Sequence, residues 1–572
     1  MEYSAIFHDM DKRFSYAVDK DLFVIRVQVK KDDMKEVILH YEDKYIPIER
    51  KDTRMTLPMK KVATSQFHDY YEAQLQMHLI CLRYFFEFTD MQGEKVYYGN
   101  YEFDKECITN RDRMFDCPQN LREEEMFEVP QWAANKVVYQ IFPSRFATTQ
   151  PVDKELWYKA PITPMDDLHG NLRGIIEHLD YIKDLGIDVV YLTPIFKSNS
   201  CHKYDTIDYY QVDPSFGTTE DLKELVQKSH ERGMKVVLDA VYNHTGREFF
   251  AFQDILEKGE KSKYLDWYFI DELPPRGEWG EIPNFKCFGY YGGMPKLNLK
   301  NPEVEKYITD VACYWIKECD IDGWRLDVGD EISHFFWKNF RKAIKAVKKD
   351  MLIIGEIWHY AGDFLEGDEW DTVMNYPFYL NLIDLLADEK INVSQFVQNL
   401  GYLKGRLNKK CYPLMWNLID SHDTARFLHL CHDNKKKQHL AAAFQLLLPG
   451  MPMIYYGDEF AMPGANDPDC RRGMYWDEEY QDKEMFEWYK QLLKVRKNHA
   501  CIVEGEPIEI AARDEEETIV LTRKNGEETL ALIFNCSSSA RMFNEYAQKY
   551  DLLRENPFDG KIEGLDAAVI VL

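Results

Sequence analysis

Between about residue 135 and residue 460, short apolar runs alternate with amphipathic helical segments, and this repeat constrains the fold more than anything else in the chain. The runs cover residues 137–142, 189–195, 236–241, 323–328, 352–357, 372–376, 415–419 and 453–456. They do not alternate polar with apolar residues. Strands buried on both faces have this composition, so the runs predict a parallel sheet covered by helices. Helix signals lie between them. Thr218 is placed to cap a helix whose first turn carries Glu220 and Asp221, and Gly233 follows its end. Asn301-Pro302-Glu303 reads as an N-cap followed by proline at the first helical position. Eight such units predict a closed (β/α)8 TIM barrel rather than an open doubly wound sheet.

The flanking segments follow a different period. Ile25, Val27 and Val29 interleave with Arg26, Gln28 and Lys30. Tyr71, Ala73, Leu75 and Met77 interleave with Glu72, Gln74 and Gln76, and Tyr84, Phe86 and Phe88 follow the same rule. This strand period predicts an N-terminal β-sandwich over 1–125, ending in a solvated linker at Arg122-Glu123-Glu124-Glu125. The catalytic barrel is expected over 126–504. After its third run comes an excursion, about 244–300, rich in Gly, Pro and aromatics; connections this long are usually functional. Residues 505–572 alternate again and predict a C-terminal β-sandwich.

A formal net charge of -27, from 71 Lys and Arg against 98 Asp and Glu, repels nucleic acid and anionic lipid, so neither is expected as a partner. A neutral substrate meets no such barrier. The 12 cysteines show no CxxC or Cys/His cluster with zinc spacing and read as thiols of a reducing compartment. The N-terminus shows no basic segment followed by an apolar run, and the apolar stretch 440–448 is cut by Pro449, so a cytoplasmic protein is expected.

The predicted strand ends carry carboxylates. The third run ends in Asp239-Ala-Val-Tyr-Asn243-His244, the fourth in Trp324-Arg325-Leu326-Asp327, the fifth in Gly355-Glu356-Ile357-Trp358, and the seventh in Asn417-Leu-Ile-Asp420-Ser-His422-Asp423. One such Asp can be a turn or a helix cap. Four groups on barrel strands, whose C-terminal ends carry the chemistry of this fold, are hard to explain that way. Carboxylates crowded in a cleft separate their pKa values, which provides one acid and one base or nucleophile. Glycosidic bond cleavage needs that pair. Arg325 and Asp327, two apart on a strand, face the same side, where the guanidinium can hold and orient the carboxylate.

At these residues the chain resembles the α-amylase family of glycoside hydrolases along its whole length. Segments 239–244, 323–327, 355–358 and 417–423 are similar to the family's four signatures, and Met294-Pro-Lys-Leu-Asn298 resembles the signature of the neopullulanase, cyclomaltodextrinase and maltogenic amylase subgroup. The resemblance implies Asp327 as nucleophile, Glu356 as acid/base and Asp423 as the carboxylate that grips sugar hydroxyls in the transition state. It implies Asp239, His244, Arg325, His422 and Tyr204 around the bound sugar, Tyr204 by stacking, Trp358 beside the acceptor, and Asp469 and Arg472 on a sugar further from the cut. It implies a homodimer in which the N-terminal starch-binding-like module narrows the partner's cleft.

The expected activity is retaining cleavage of α-1,4 bonds in cyclomaltodextrins, maltooligosaccharides and pullulan. A transglycosylase or α-1,6-acting debranching enzyme would share the same triad, and a catalytically dead carbohydrate-binding protein is the non-enzyme alternative. No cofactor or metal is expected. The subgroup's calcium loop follows the first strand, and here it reads Ser144-Arg-Phe-Ala-Thr-Thr-Gln150, without the carboxylates that a hard cation needs; Asp153 is the only aspartate before Asp166.

Overall fold

The computed structural model describes residues 1–47, 54–76, 80–118, 126–277 and 280–572. Met77 and the acidic run 122–125 lie outside them. The chain divides into two compact units. One is Met1–Val129 with Tyr360–Asp368 and Ser394–Tyr412; the other is Pro130–His359, Glu369–Val393 and Pro413–Leu572.

In the larger unit the eight runs form one parallel sheet. Its strands are β1 (Val138–Ile141), β2 (Val189–Leu192), β3 (Lys235–Ala240), β4 (Gly323–Leu326), β5 (Leu352–Gly355), β6 (Thr372–Val373), β7 (Trp416–Asn417) and β8 (Met451–Tyr455). Their order is β6-β5-β4-β3-β2-β1-β8-β7. A parallel bridge from Met374 to Trp416 joins the two ends, so the sheet closes into the barrel. Residues of β1, β2, β4 and β5 are buried throughout, as unalternating strands between a core and a helical layer must be.

The helix signals act where the sequence puts them. Thr218 accepts from the Asp221 amide and Asp221 returns the bond, a capping box that starts the helix Thr219–Glu231; Gly233 follows at φ +69°. The Asn301 side chain accepts from the Glu303 amide and starts the helix Pro302–Cys319. The apolar stretch 440–448 is mostly the buried helix Lys435–Leu447, and among the described residues no helix is long and apolar enough to cross a membrane.

The excursion after β3 folds back on the strand it leaves. His244 bridges Lys296, the Leu297 amide donates to Asn243 O at 3.0 Å, and Tyr268 bridges Leu297. The segment 294–298 is thus the return limb that fixes the backbone beyond β3. The C-terminal β domain has a six-stranded sheet and a two-stranded one, with Val520, Ala531, Ile533, Phe543, Phe558 and Ile570 in its core. Phe534 stacks on Phe444 of the helix Lys435–Leu447 at 4.2 Å, which seats that domain on the barrel's outer layer.

The smaller unit has one sheet of Ser15–Ala17, Leu22–Lys30, His68–Gln76 and Lys60–Thr64, and another built around Met34–Asp43 and Cys81–Asp90. Ile25, Val27, Val29, Tyr71, Ala73 and Leu75 meet Tyr84, Phe86 and Phe88 in one core, as the strand period requires. Arg26, on the opposite side of its strand, is also buried. Its guanidinium pairs with Glu72 at 2.9 Å and donates to Gly405 O and Leu407 O at 3.0 and 2.9 Å. The face that alternation assigns to solvent is covered by a segment almost 380 positions away in sequence.

Candidate active site

The register of the barrel assembles the cluster. Asp239 on β3 and Arg325 on β4 are cross-strand partners, and Asp327 stands two residues further on the side of Arg325. The Arg325 guanidinium is fully buried. Its Nη1 lies 3.1 Å from Asp239 Oδ1 and 2.8 Å from Asp327 Oδ1, and its Nη2 lies 2.9 Å from Glu356 Oε2 and 3.9 Å from Asp423 Oδ2. Carboxylates from the ends of β3, β4, β5 and β7 therefore surround one positive charge. Arg471 adds a second positive charge only at Asp423, so the two deeply buried aspartates, Asp327 and Asp239, are pushed toward their protonated forms. Burial pushes the Asp327 carboxyl well above the usual carboxylate range; Arg325 opposes this, and the charges of Glu356, Asp239 and Asp423 add to it. Asp239 is pushed up to about 6, by burial first, against the pull of Arg325 and the Tyr191 hydroxyl.

The free oxygens are informative. Asp327 Oδ1 is held by Arg325, while Oδ2 is buried and accepts no hydrogen bond. Glu356 Oε2 accepts from the Val328 amide at 2.9 Å, and Oε1 accepts from the Trp358 indole at 3.3 Å. Trp358 stacks on Tyr376 at 4.0 Å and is 41% exposed, leaving its other face open.

A hydrogen-bonded chain fixes the rings beside Asp239. The Gln140 amide nitrogen donates to His422 Nδ1 at 2.7 Å, so the imidazole hydrogen sits on Nε2, facing Tyr204 Oη and Asp423 Oδ2. Tyr204 in turn donates to Asp239 Oδ2 at 3.0 Å, as does Tyr191 at 2.6 Å. The rings of Tyr204 and His422 are parallel, 5.5 Å apart. Burial, with Arg471 and Arg325 nearby, holds His422 well below its ordinary pKa, hence neutral. His244 is likewise buried and neutral, lowered to about 4; its Nε2 donates to Tyr204 O at 3.1 Å, and Phe288 of the excursion stacks on it at 5.1 Å.

The structure thus gathers Tyr204, Asp239, His244, Arg325, Asp327, Glu356, Trp358, His422 and Asp423. Asp469 and Arg472 are arranged differently. They pair with each other at 2.8 Å, and Asp469 also accepts from the Ile162 and Ala465 amides at 3.2 and 2.9 Å, which ties down their own loop. Their neighbours reach the cluster instead. Arg471 lies 3.4 Å from Asp423 Oδ1 and 2.8 Å from Asp467, and donates from Nε to His422 O at 2.7 Å. Sequence reasoning missed Asp467 and Arg471, and also Gln140 and Tyr191. The last two had a signal: each is a polar-tipped residue in a short apolar barrel strand.

The residues near the expected calcium loop do not fit a hard cation. The Asp153 carboxylate caps the helix Lys154–Trp157 through the Glu155 and Leu156 amides, and Asp166 is taken by Lys159 and Thr163. Arg145 of that loop is buried.

Residues 140–505 match the family model described as the alpha amylase catalytic domain, and residues 1–119 match the alpha amylase N-terminal ig-like domain. The chain is 42% identical over 544 residues to a cyclomaltodextrinase of Geobacillus thermopakistaniensis (strain MAS1), covering 94% of this chain and 92% of that one. It is 38% identical over 543 residues to an intracellular maltogenic amylase of Bacillus subtilis, covering 94% and 91%. Among solved structures, a cyclomaltodextrinase superposes with a TM-score of 0.94 at 36% identity, covering all of both chains.

Proposed function

This chain belongs to the α-amylase family of glycoside hydrolases, and on that premise we propose that it cleaves α-1,4-glucosidic bonds of cyclomaltodextrins, maltooligosaccharides and pullulan with retention of configuration. One observation carries the reading: Asp327 and Glu356 occupy the two terminal nitrogens of a single buried guanidinium. Two carboxylates held so near one another suit a double displacement, which wants about 5–5.5 Å between them; inversion needs a wider gap to admit water.

In this reading Asp327 acts ionised, its charge held by Arg325 on Oδ1 against the upward push of burial, and Oδ2, the oxygen without a hydrogen bond, attacks the anomeric carbon. Arg325 orients the other oxygen. Glu356 delivers its proton to the departing glycosidic oxygen as the bond breaks, and the covalent glycosyl-enzyme forms. Glu356, now ionised, takes a proton from water, which attacks the same carbon and releases Asp327. Asp423, held by Arg471 and His422, grips hydroxyls of the distorted sugar, and Tyr204 gives its ring a stacking face. Trp358 offers its open face to the leaving sugar. No bound cation takes part.

The relatives' names support the substrate class, and the subgroup resemblance at 294–298 supports a homodimer formed through the N-terminal module. Light scattering tests that assembly. An intracellular setting is supported by the name of the Bacillus subtilis relative and by twelve free thiols. Product analysis on β-cyclodextrin, pullulan and soluble starch, run side by side, tests the main reading. Maltose and glucose released fastest from cyclodextrin are expected. Release from pullulan with no action on cyclodextrin would favour an α-1,6-acting enzyme.

A further inference from the structure

Val328 follows Asp327 with φ +48°, the left-handed region in which a β-branched residue is strained. The turn aims its N–H at Glu356 Oε2, 2.9 Å away. Two tryptophans brace it. Trp337, on the helix His334–Val347, donates its indole N–H to Gly329 O at 2.9 Å. Trp370, fully buried, fills the space between Gly329 and Gly355: a Cβ on Gly329 would stand 2.8 Å from its ring, and one on Gly355 would stand 2.2 Å from it. The two indoles meet edge to face at 6.0 Å. Gly329 lies two residues past Asp327, and Gly355 immediately precedes Glu356.

We propose that Trp337 is a positioning residue: it holds Val328 in its left-handed turn, so that the Val328 amide orients Glu356, while Trp370 spaces the two strand ends. This rests on the reading of Glu356 as the acid/base. Glu356 Oε2 accepts from the Val328 amide and lies 2.9 Å from the Arg325 guanidinium as its ion-pair partner. Oε1 accepts only the longer 3.3 Å bond from the Trp358 indole, so it is the less firmly held oxygen and the acidic hydrogen belongs there.

Trp337→Phe keeps the ring and removes the donor. Val328→Gly keeps the amide and adopts positive φ without strain. W337F is expected to lower kcat by about tenfold or more through the misplaced carboxyl, with KM little changed. In W337F/V328G the kcat loss should revert, since glycine adopts the turn without strain, and a residue that only fills space would not be rescued in this way. An unchanged kcat in W337F, or a double variant no better than W337F, would show that Trp337 only fills space. Should W337F alone not fold, the double variant is compared with V328G, and a kcat lowered about tenfold between those two overturns the proposal. Glu356→Gln tests the underlying reading separately: near-full turnover there removes the acid/base role itself, whatever Trp337 does.

Discussion

Arg325 Nη1 lies 2.8 Å from Asp327 Oδ1, with both residues buried and on one side of β4. The contact fixes which oxygen of Asp327 is occupied and which is free to attack. Asp327→Asn should leave the fold intact and abolish turnover, because a neutral amide is no nucleophile toward the anomeric carbon. The loss should be on the order of 5 kcal/mol of barrier or more. Steady-state rates on maltotriose, with circular dichroism as the fold control, check this; one tenth of the activity remaining would exclude Asp327 as nucleophile.

The same guanidinium places Glu356 close by, so the first product should be the α-anomer. Proton NMR in the first minutes, before mutarotation, reads the configuration directly. An initial β-anomer would mean inversion.

Acid should weaken the barrel through His244. Burial lowers this group from its ordinary 6.5 to about 4 in the folded state. Below pH 6.5 the unfolded chain takes up a proton that the folded chain refuses, so stability falls as pH drops from 6.5 to 4. The full loss is about 3 kcal/mol. Melting temperatures at pH 7, 6, 5 and 4.5 should fall more steeply for the parent than for His244→Asn. Equal slopes would locate the acid sensitivity elsewhere.

Arg471 should matter more than Arg472. Arg471 holds Asp423 and the His422 carbonyl, whereas Arg472 pairs with Asp469 in its own loop. Lysine cannot reproduce the planar fork. Arg471→Lys should cost roughly 1.5–3 kcal/mol in kcat/KM, the range for a hydrogen bond to a charged group, and Arg472→Lys less. The reverse order would assign the sugar-facing role to Arg472.

Chelation should leave the enzyme active. Asp153 and Asp166, the acids nearest the loop after β1, already satisfy amides and a lysine. Incubation with EDTA should change neither initial rate nor melting temperature. A drop reversed by added calcium would reveal a cation site.

The sequence by itself determined the barrel, because unalternating apolar runs have no stable place except between a core and a helical layer, and eight of them can close on themselves. It also determined the carboxylates at the strand ends, since period and register place residues two apart on one side. Local chemistry gave the helix starts at Thr218 and Asn301 for the same reason: a cap acts within three residues. The tertiary structure alone decided what depends on contacts distant in sequence. Segment 467–472 carries two Asp/Arg pairs, and only the folded loop shows that Asp467 and Arg471 turn toward Asp423 while Asp469 and Arg472 close on each other. Arg26 reads as a solvent-facing position until residues 405–407 cover it. The left-handed turn at Val328 has no signature at all, since a β-branched residue is a poor choice there; it exists because Trp337, on the helix that follows, and Trp370, from beyond β5, hold it against its own preference.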